Sequence, residues 1–328
     1  MRLAYSFSID SFEEIESEWE DILSNSISNN IFLTPYWQKT WWENMKTTKQ
    51  ELRIVRLLEN GATIGIAPLM KDNGLITFLG GTDLCDIHDF IIANGQEYNF
   101  FQALMGYLEH EQWLEIKLES ILKDSPTLIH LPALAQNMGY KTIQSEEDNL
   151  MGVTLPSTWE EYLLGLRKKD RHELRRKLRR LEEVVDFKIQ HLNEVEDVSR
   201  AMEDFLELMG QSREEKSEFL TSERGDFFRD MTTKMAQKGL LHLFFLEVDG
   251  VRTAATVCFD YNNVLSLYNS GHNTEYADLG TGFILKALCL KDAICNKKTY
   301  FDMLRGTEPY KQHLGGKTRE LFCLSISQ

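Results

Sequence analysis

The stretch SLYNSGHNTEYADLGTGFILKALCLKDAI, residues 266–294, reads as the end of a strand, a glycine-bearing turn and a helix. The strand is Val264–Ser270, entered from the turn Tyr261-Asn262-Asn263. Upstream, Leu240–Val248 and Arg252–Asp260 flank Asp249-Gly250, the preferred chemistry for a tight hairpin. Downstream, the helix Phe283–Cys295 is followed by strands at Tyr300–Met303 and Leu321–Ile326. Three antiparallel strands, a helix and one more strand thus form a continuous unit. Leu279-Gly280-Thr281-Gly282 opens the helix. A helix N-terminus exposes unpaired N–H groups and the positive end of the dipole, and glycines let an anion come close. The loop lacks a P-loop lysine and a full GxGxxG, so an ordinary glycine turn is the competing reading.

Outward from this unit, the basic stretch 157–184 starts at Pro156-Ser157 and reads as one helix. Strand Phe187–His191 and helices Val195–Glu214 and Arg224–Lys238 follow. The first half alternates similarly. Strand Arg2–Ile9 precedes helix Ser11–Leu23, with Ser11 and Glu14 at capping-box spacing. Pro35–Met45 is an aromatic helix, and strands Arg53–Glu59 and Thr63–Met70 join through Asn60-Gly61. Leu75–Gly80, Asn99–Glu111, Trp113–Leu118 and Thr127–Asn137 read as strand, helix, strand and helix. The expected organisation is α+β with two domains, 1–154 and 155–328, related as distant copies.

A net charge of −15 argues against a protein that coats nucleic acid. Five cysteines without a CxxC, four of them in apolar stretches, fit buried free thiols of a reducing compartment. No apolar run approaches the ~18–20 residues of a membrane span, and the N-terminus turns acidic early, so a cytoplasmic location is expected. No metal-ligand spacing occurs among the histidines and cysteines. Trp37, Trp41 and Trp42 at helical spacing read as core packing between lobes, or as the wall of an acceptor site.

Chemistry concentrates in FDMLRGTEPYKQHLGG, residues 301–316. Asp302, Arg305, Glu308, Tyr310 and Lys311 supply a carboxylate, a phenol and two cations within ten residues. Glu308 would serve as a base if burial raised its pKa, and Tyr310 as an acid. Arg305 and Lys311 suit an anion. The plainer alternative is an Asp302–Arg305 ion pair and a Glu308-Pro309 turn. His272, directly after Ser270-Gly271, is within reach of an acceptor. Between Arg167 and Arg180, nine Lys or Arg face only Asp170 and Glu173, a local charge of +7. Arg175, Arg176 and Arg179 are candidate anion contacts there, for phosphates, an anionic polymer or a membrane surface; a solvated face is the simpler reading.

Residues 266–294 followed by YFDMLRGTEPYKQHLGG (300–316) resemble the GNAT-family acyltransferases of the cellulose-biosynthesis CelD type, relatives of the Fem-type peptidoglycan peptide-bridge transferases. The basic segment LRKKDRHELRRKLRRLEE (166–183) and the aromatic opening IFLTPYWQKTWWENM (31–45) are similar to further stretches of that family. Leu267 stands where the family often has an aromatic residue, and Tyr276 or Ala277 where ordinary GNATs have glutamine or arginine before the phosphate loop. The resemblance implies two GNAT-like lobes, each a mixed, mostly antiparallel sheet flanked by helices. It implies transfer from acyl-CoA, chiefly acetyl-CoA, to an amine of a small molecule, sugar or peptide, in keeping with polysaccharide biosynthesis, without a metal. Ser270, Gly271, Gly280, Thr281 and Gly282 would then face the cofactor, and Tyr268, Asn269 and His272 the acceptor. Two alternatives stand beside it: Fem-type transfer from aminoacyl-tRNA, which the basic segment suits, and an interaction module that kept the fold without the chemistry.

Overall fold

The computed structural model describes residues 5–184 and 186–328. The expected strand at Arg2–Ile9 lies outside them at its first three residues. The chain divides into two compact units. One holds Met1–Asn149 with Arg319–Gln328, the other Leu150–Thr318.

The first unit contains β1 (Tyr5–Asp10), α1 (Phe12–Ser24), α2 (Pro35–Met45), β2 (Glu51–Glu59), β3 (Ala62–Asp72), β4 (Leu75–Phe78), β5 (Ile91–Ile92), α3 (Glu97–Leu108), β6 (Glu115–Leu122), α4 (Pro126–Asn137) and the start of β7 (Lys141–Thr154). The Ser11 amide and hydroxyl both donate to Glu14 at 2.8 Å, the expected capping box of α1. Asn60 and Gly61 turn between β2 and β3 with φ of 51° and 84°, the left-handed pair of a type I′ hairpin. Strand order is β1-β2-β3-β4-β6, and the last strand of the chain adds to β6. Helix α3 covers this sheet, with Phe100, Phe101, Leu104 and Leu108 against Phe78, Phe90, Leu118 and Ile121. Trp37 and Trp41 are buried in this unit, and Trp42 carries Lys46 over its ring at 5.4 Å.

The second unit continues with the end of β7, then α5 (Trp159–Gly165), α6 (Lys168–Val184), β8 (Phe187–Leu192), α7 (Val195–Ser212), α8 (Glu214–Phe219), α9 (Ser222–Gln237), β9 (Leu241–Val248), β10 (Val251–Tyr261), β11 (Val264–His272), α10 (Thr281–Cys295), β12 (Tyr300–Arg305), α11 (Pro309–His313) and the start of β13 (Lys317–Ser327). Strand order here is β7-β12-β11-β10-β9-β8. In that order β11 and β12 run parallel, and β7–β12, β11–β10, β10–β9 and β9–β8 are antiparallel. Helix α10 buries Ile284, Leu285, Cys289 and Leu290 against Leu246, Ala254, Cys258 and Leu265.

Three expectations change. The basic stretch 157–184 is two helices, because Leu166 is extended (φ −71°, ψ 150°) and caps α5 at Gly165. The 14-residue strand β7 was not expected, since its Lys141–Asn149 half carries few apolar residues and no clean alternation. The last strand, expected in a second domain of 155–328, lies from Arg319 onward with the first unit, where Leu321, Leu324 and Ile326 pair with Leu122, Leu118 and Ile116. The turn sequence around Gly315-Gly316 did not show which sheet the strand would join.

Candidate active site

The site begins where β11 and β12 part. They pair in parallel only from Val264↔Tyr300 to Ser266↔Asp302. Beyond that point each strand carries an irregularity. Tyr268 is the extra residue of a bulge in β11, where Val257 faces Asn269 and Cys258 faces Leu267. On β12, pairing with β7 shifts register between Asp302 and Arg305. Bulges bend a strand and free backbone groups from the ladder, so two at the same level open a gap.

The β12 irregularity rests on its polar residues. Leu304 adopts a φ of 58°, unfavourable for a residue with a Cβ. The buried Asp302 carboxylate accepts from the Leu304 amide at 2.9 Å. Lys311 is buried from α11, and its ammonium donates to the carbonyls of Leu304 (3.1 Å), Arg305 and Gly306 (3.2 Å). It also pairs with Glu308 at 3.0 Å. Asp302 and Lys311 therefore hold the bend that Arg305, Glu308 and Tyr310 depend on. A side chain on Gly306, whose φ is 101°, would meet the Glu308 carboxylate at 2.6 Å.

Burial acts to raise the pKa of Glu308, but the Lys311 charge, hydrogen bonds to the carboxylate and the Arg213 charge together outweigh it, and the carboxyl stays below its ordinary value. Tyr310 is raised, by burial first and then by the Glu308 charge, so its phenol keeps its proton. Lys286 lies 5.0 Å from the centre of the Tyr310 ring.

The β11 side is less uniform. The Tyr268 ring packs on Phe228 and Phe259 at 5.9 and 5.1 Å. Gly271 has the backbone of α7 directly above it: a Cβ there would lie 2.2 Å from the Met209 nitrogen. Asn269 and Ser270 instead receive the ammonium of Lys216, at 2.8 Å to the Asn269 Oδ1 and by a short bond to the Ser270 carbonyl. His272 closes the strand beside Gly282, whose Cβ position lies 3.1 Å from the imidazole Cγ. Burial first, then the charges of Lys286, Lys216 and Arg213, lower the His272 pKa.

The glycine loop follows a 3-10 turn at Thr274–Leu279. Gly280 is left-handed (φ 68°) and caps α10. Thr281 is buried, and its hydroxyl has no hydrogen-bond partner among the described residues. The Lys177 ammonium from α6 lies 3.1 Å from the Cβ position of Gly280. Arg175, Arg176 and Arg179 are exposed on other sides of α6, with Arg176 on Glu173 at 2.8 Å.

Lys177, Arg213, Lys216 and Lys286 are the site residues that sequence reading missed. Lys286 left a trace, as one charge inside the apolar run Ile284–Leu290 of α10. Lys216 lies in the acidic stretch EEKSE and left none. Among the described residues, no group of three His, Cys, Asp or Glu is placed to hold a metal ion, and no helix is long and apolar enough to cross a membrane.

Residues 168–312 match the family described as acetyltransferase (GNAT) domain. The chain has the GNAT acyltransferase fold, as two GNAT-like lobes. A crystal structure of FemX superposes with a TM-score of 0.67 at 13% identity, over 97% of this chain and 96% of that one. The structure of L-PGS from Bacillus licheniformis gives 0.58 at 10% identity, over 94% and 90%. A tandem GNAT protein from the clavulanic acid biosynthesis pathway gives 0.54 at 10%, over 99% of both chains. At these identities the likeness is one of fold. No curated protein matches the sequence. The matched residues take in the parted strands, the glycine loop and α10.

Proposed function

We propose that the second unit is an N-acyltransferase, moving an acyl group from acyl-CoA, chiefly acetyl-CoA, to an amine. The observation that carries this reading is the parting of β11 and β12 after Ser266 and Asp302, next to the glycine-capped N-terminus of α10. The CelD-type resemblance of residues 266–316 supports it, as does the GNAT match over 168–312. The cofactor would bring an activated thioester carbonyl. Its phosphates suit the first-turn amides of Thr281 and Gly282, the orphaned Thr281 hydroxyl and the Lys177 ammonium. Lys177 would thus replace the glutamine or arginine of ordinary GNAT loops.

Tyr310, protonated throughout the neutral range, can donate to a departing thiolate. Glu308 is ionised and held by Lys311, so it suits binding an ammonium better than removing its proton. His272 stays neutral at neutral pH and is the group suited to accept the acceptor's proton.

Calorimetry with acetyl-CoA tests the reading; no heat at millimolar ligand would overturn it. Lys177→Gln should weaken binding by about 10–100-fold, the worth of one charge-assisted hydrogen bond. The same change should leave binding of desulfo-pantetheine, which has no phosphates, unaltered. His272→Ala should lower kcat by about a hundredfold. Because the His272 pKa is depressed and its neutral form is required, the acid limb of kcat/KM should lie below pH 6.5, and be absent from the variant.

The exposed Arg175, Arg179 and Arg180 of α6, with the FemX likeness over 97% of the chain, favour a second reading, transfer from aminoacyl-tRNA. It requires tRNA binding that weakens steeply with salt and is lost when these arginines become alanine.

A further inference from the structure

Two lysine ammonium groups from different helices come to residues beside the gap between β11 and β12, and a third cation, the exposed Arg213, acts on both. Lys286 comes from α10 and is 7% exposed, surrounded by the apolar residues of that helix. Its ammonium donates to the Gly282 carbonyl at 3.1 Å and reaches the Tyr310 ring. Lys216 comes from α8 and ends on Asn269 and Ser270 of β11. Arg213 stands at the joint of α7 and α8 and acts electrostatically on Lys216, Lys286 and His272. Among the described residues, neither lysine has a carboxylate within ion-pair distance. Glu308, a carboxylate that acts on both, is already paired with Lys311.

Burying one ammonium without a counter-charge is expensive, and burying a second beside it more so. Burial and mutual repulsion bring Lys216 down to about 7, and burial brings Lys286 down to about 8. Replacing either by an apolar residue would relieve this, so its presence points to a ligand of opposite charge. The phosphate end of an acyl donor has its own place at Gly280 and Lys177, at the mouth of the loop. Lys216 instead ends on Asn269 and Ser270, just past the Tyr268 bulge, and Lys286 ends on the Gly282 carbonyl and the Tyr310 ring, with Arg213 acting on both.

We propose that Arg213, Lys216 and Lys286 form a carboxylate-binding site that holds the acid group of the acceptor, so that the preferred acceptor is an amino acid or another amine bearing a carboxylate. The proposal rests on the acyl-transfer reading for the words "acceptor" and "amine", and on the three cations for the carboxylate. A carboxylate offers the Arg213 guanidinium a matching fork and each ammonium an oxygen.

The test is a titration of protein carrying ¹³C-labelled lysine, followed by NMR at the ε-carbons of Lys216 and Lys286. The signals are assigned with Lys216→Met and Lys286→Met. Should a variant fail to fold, they are recognised as the two lysines titrating lowest. Acetate and glycine should move both signals saturably, at least about tenfold more tightly than acetamide and glycinamide. Sodium chloride at equal ionic strength should leave them in place. Lysine signals unmoved by carboxylates, or moved equally by chloride, would overturn the site. A tighter response to inorganic phosphate than to any carboxylate would overturn its assignment to the acceptor. Acetyl-CoA calorimetry on the same sample separates the two conclusions: donor binding without carboxylate binding removes only the inference, and carboxylate binding without donor binding removes only the acyl-CoA reading.

Discussion

Lys311→Met is expected to destabilise the second unit by about 3–5 kcal/mol, the range found when one member of a buried charge pair is removed. The lysine is fully buried, so water cannot replace it. Methionine would fill the volume but donate nothing to the carbonyls of Leu304, Arg305 and Gly306. Those carbonyls surround Leu304, already at a φ of 58°, so the bend in β12 would lose the contacts that impose it. Lys311→Arg should recover only part of the loss, because a planar guanidinium cannot reach three carbonyls and Glu308 as a compact ammonium does. Denaturant midpoints measure the effect, and unaltered stability would refute this role. The pH dependence has a definite sign. The Glu308 pKa is depressed in the fold, so the ion pair's contribution is present above about pH 4.5 and is lost as pH falls through the lower folded value. The gap between wild type and variant should therefore narrow on acidification.

Gly271→Ala should be the second severe change, at more than about 3 kcal/mol, above the usual 1–3 kcal/mol for overpacking. The added methyl would lie 2.2–2.5 Å from backbone atoms of Leu208 and Met209, and backbone inside a helix cannot rotate away. Either α7 lifts from β11 or β11 shifts, and either would displace Asn269 and Lys216. Gly106→Ala in α3 is the control. Nothing lies within 4 Å of its Cβ position, so alanine should stabilise by about 0.5–1 kcal/mol through helix propensity alone. Thermal unfolding of the two variants side by side checks the contrast; equal midpoints would mean that α7 does not pack on Gly271 as described.

Both predictions concern residues that the sequence suggested for other work. Lys311 was a candidate for anion binding and catalysis, and Gly271 for the cofactor. Motif position drew attention to both, but could not tell a group that meets a substrate from one that shapes the place where substrates meet. Asp302 illustrates the same point, since its carboxylate caps the Leu304 amide. The glycine loop was more legible. Gly280 and Thr281 are at the head of α10, because a left-handed glycine before a helix is a local feature.

What the sequence alone determined is what depends on near neighbours. Hairpins at Asn60-Gly61 and Asp249-Gly250, the capping box at Ser11, the strand–loop–helix order of 264–295 and the family motif at 301–316 are set within a few residues. Tertiary structure decided which sheet received the last strand, where the basic stretch broke, and that β11 and β12 part after three pairs. It also decided the site's charge. Lys177, Arg213, Lys216 and Lys286 are up to 109 residues apart in sequence and come into one neighbourhood only because α6 packs on α10, α7 and α10 on β11, and α8 on α7. Periodicity and turn chemistry act over one or two turns of chain. Electrostatic convergence acts through space, and a lysine in an acidic stretch such as EEKSE gives no local sign that its ammonium will be buried.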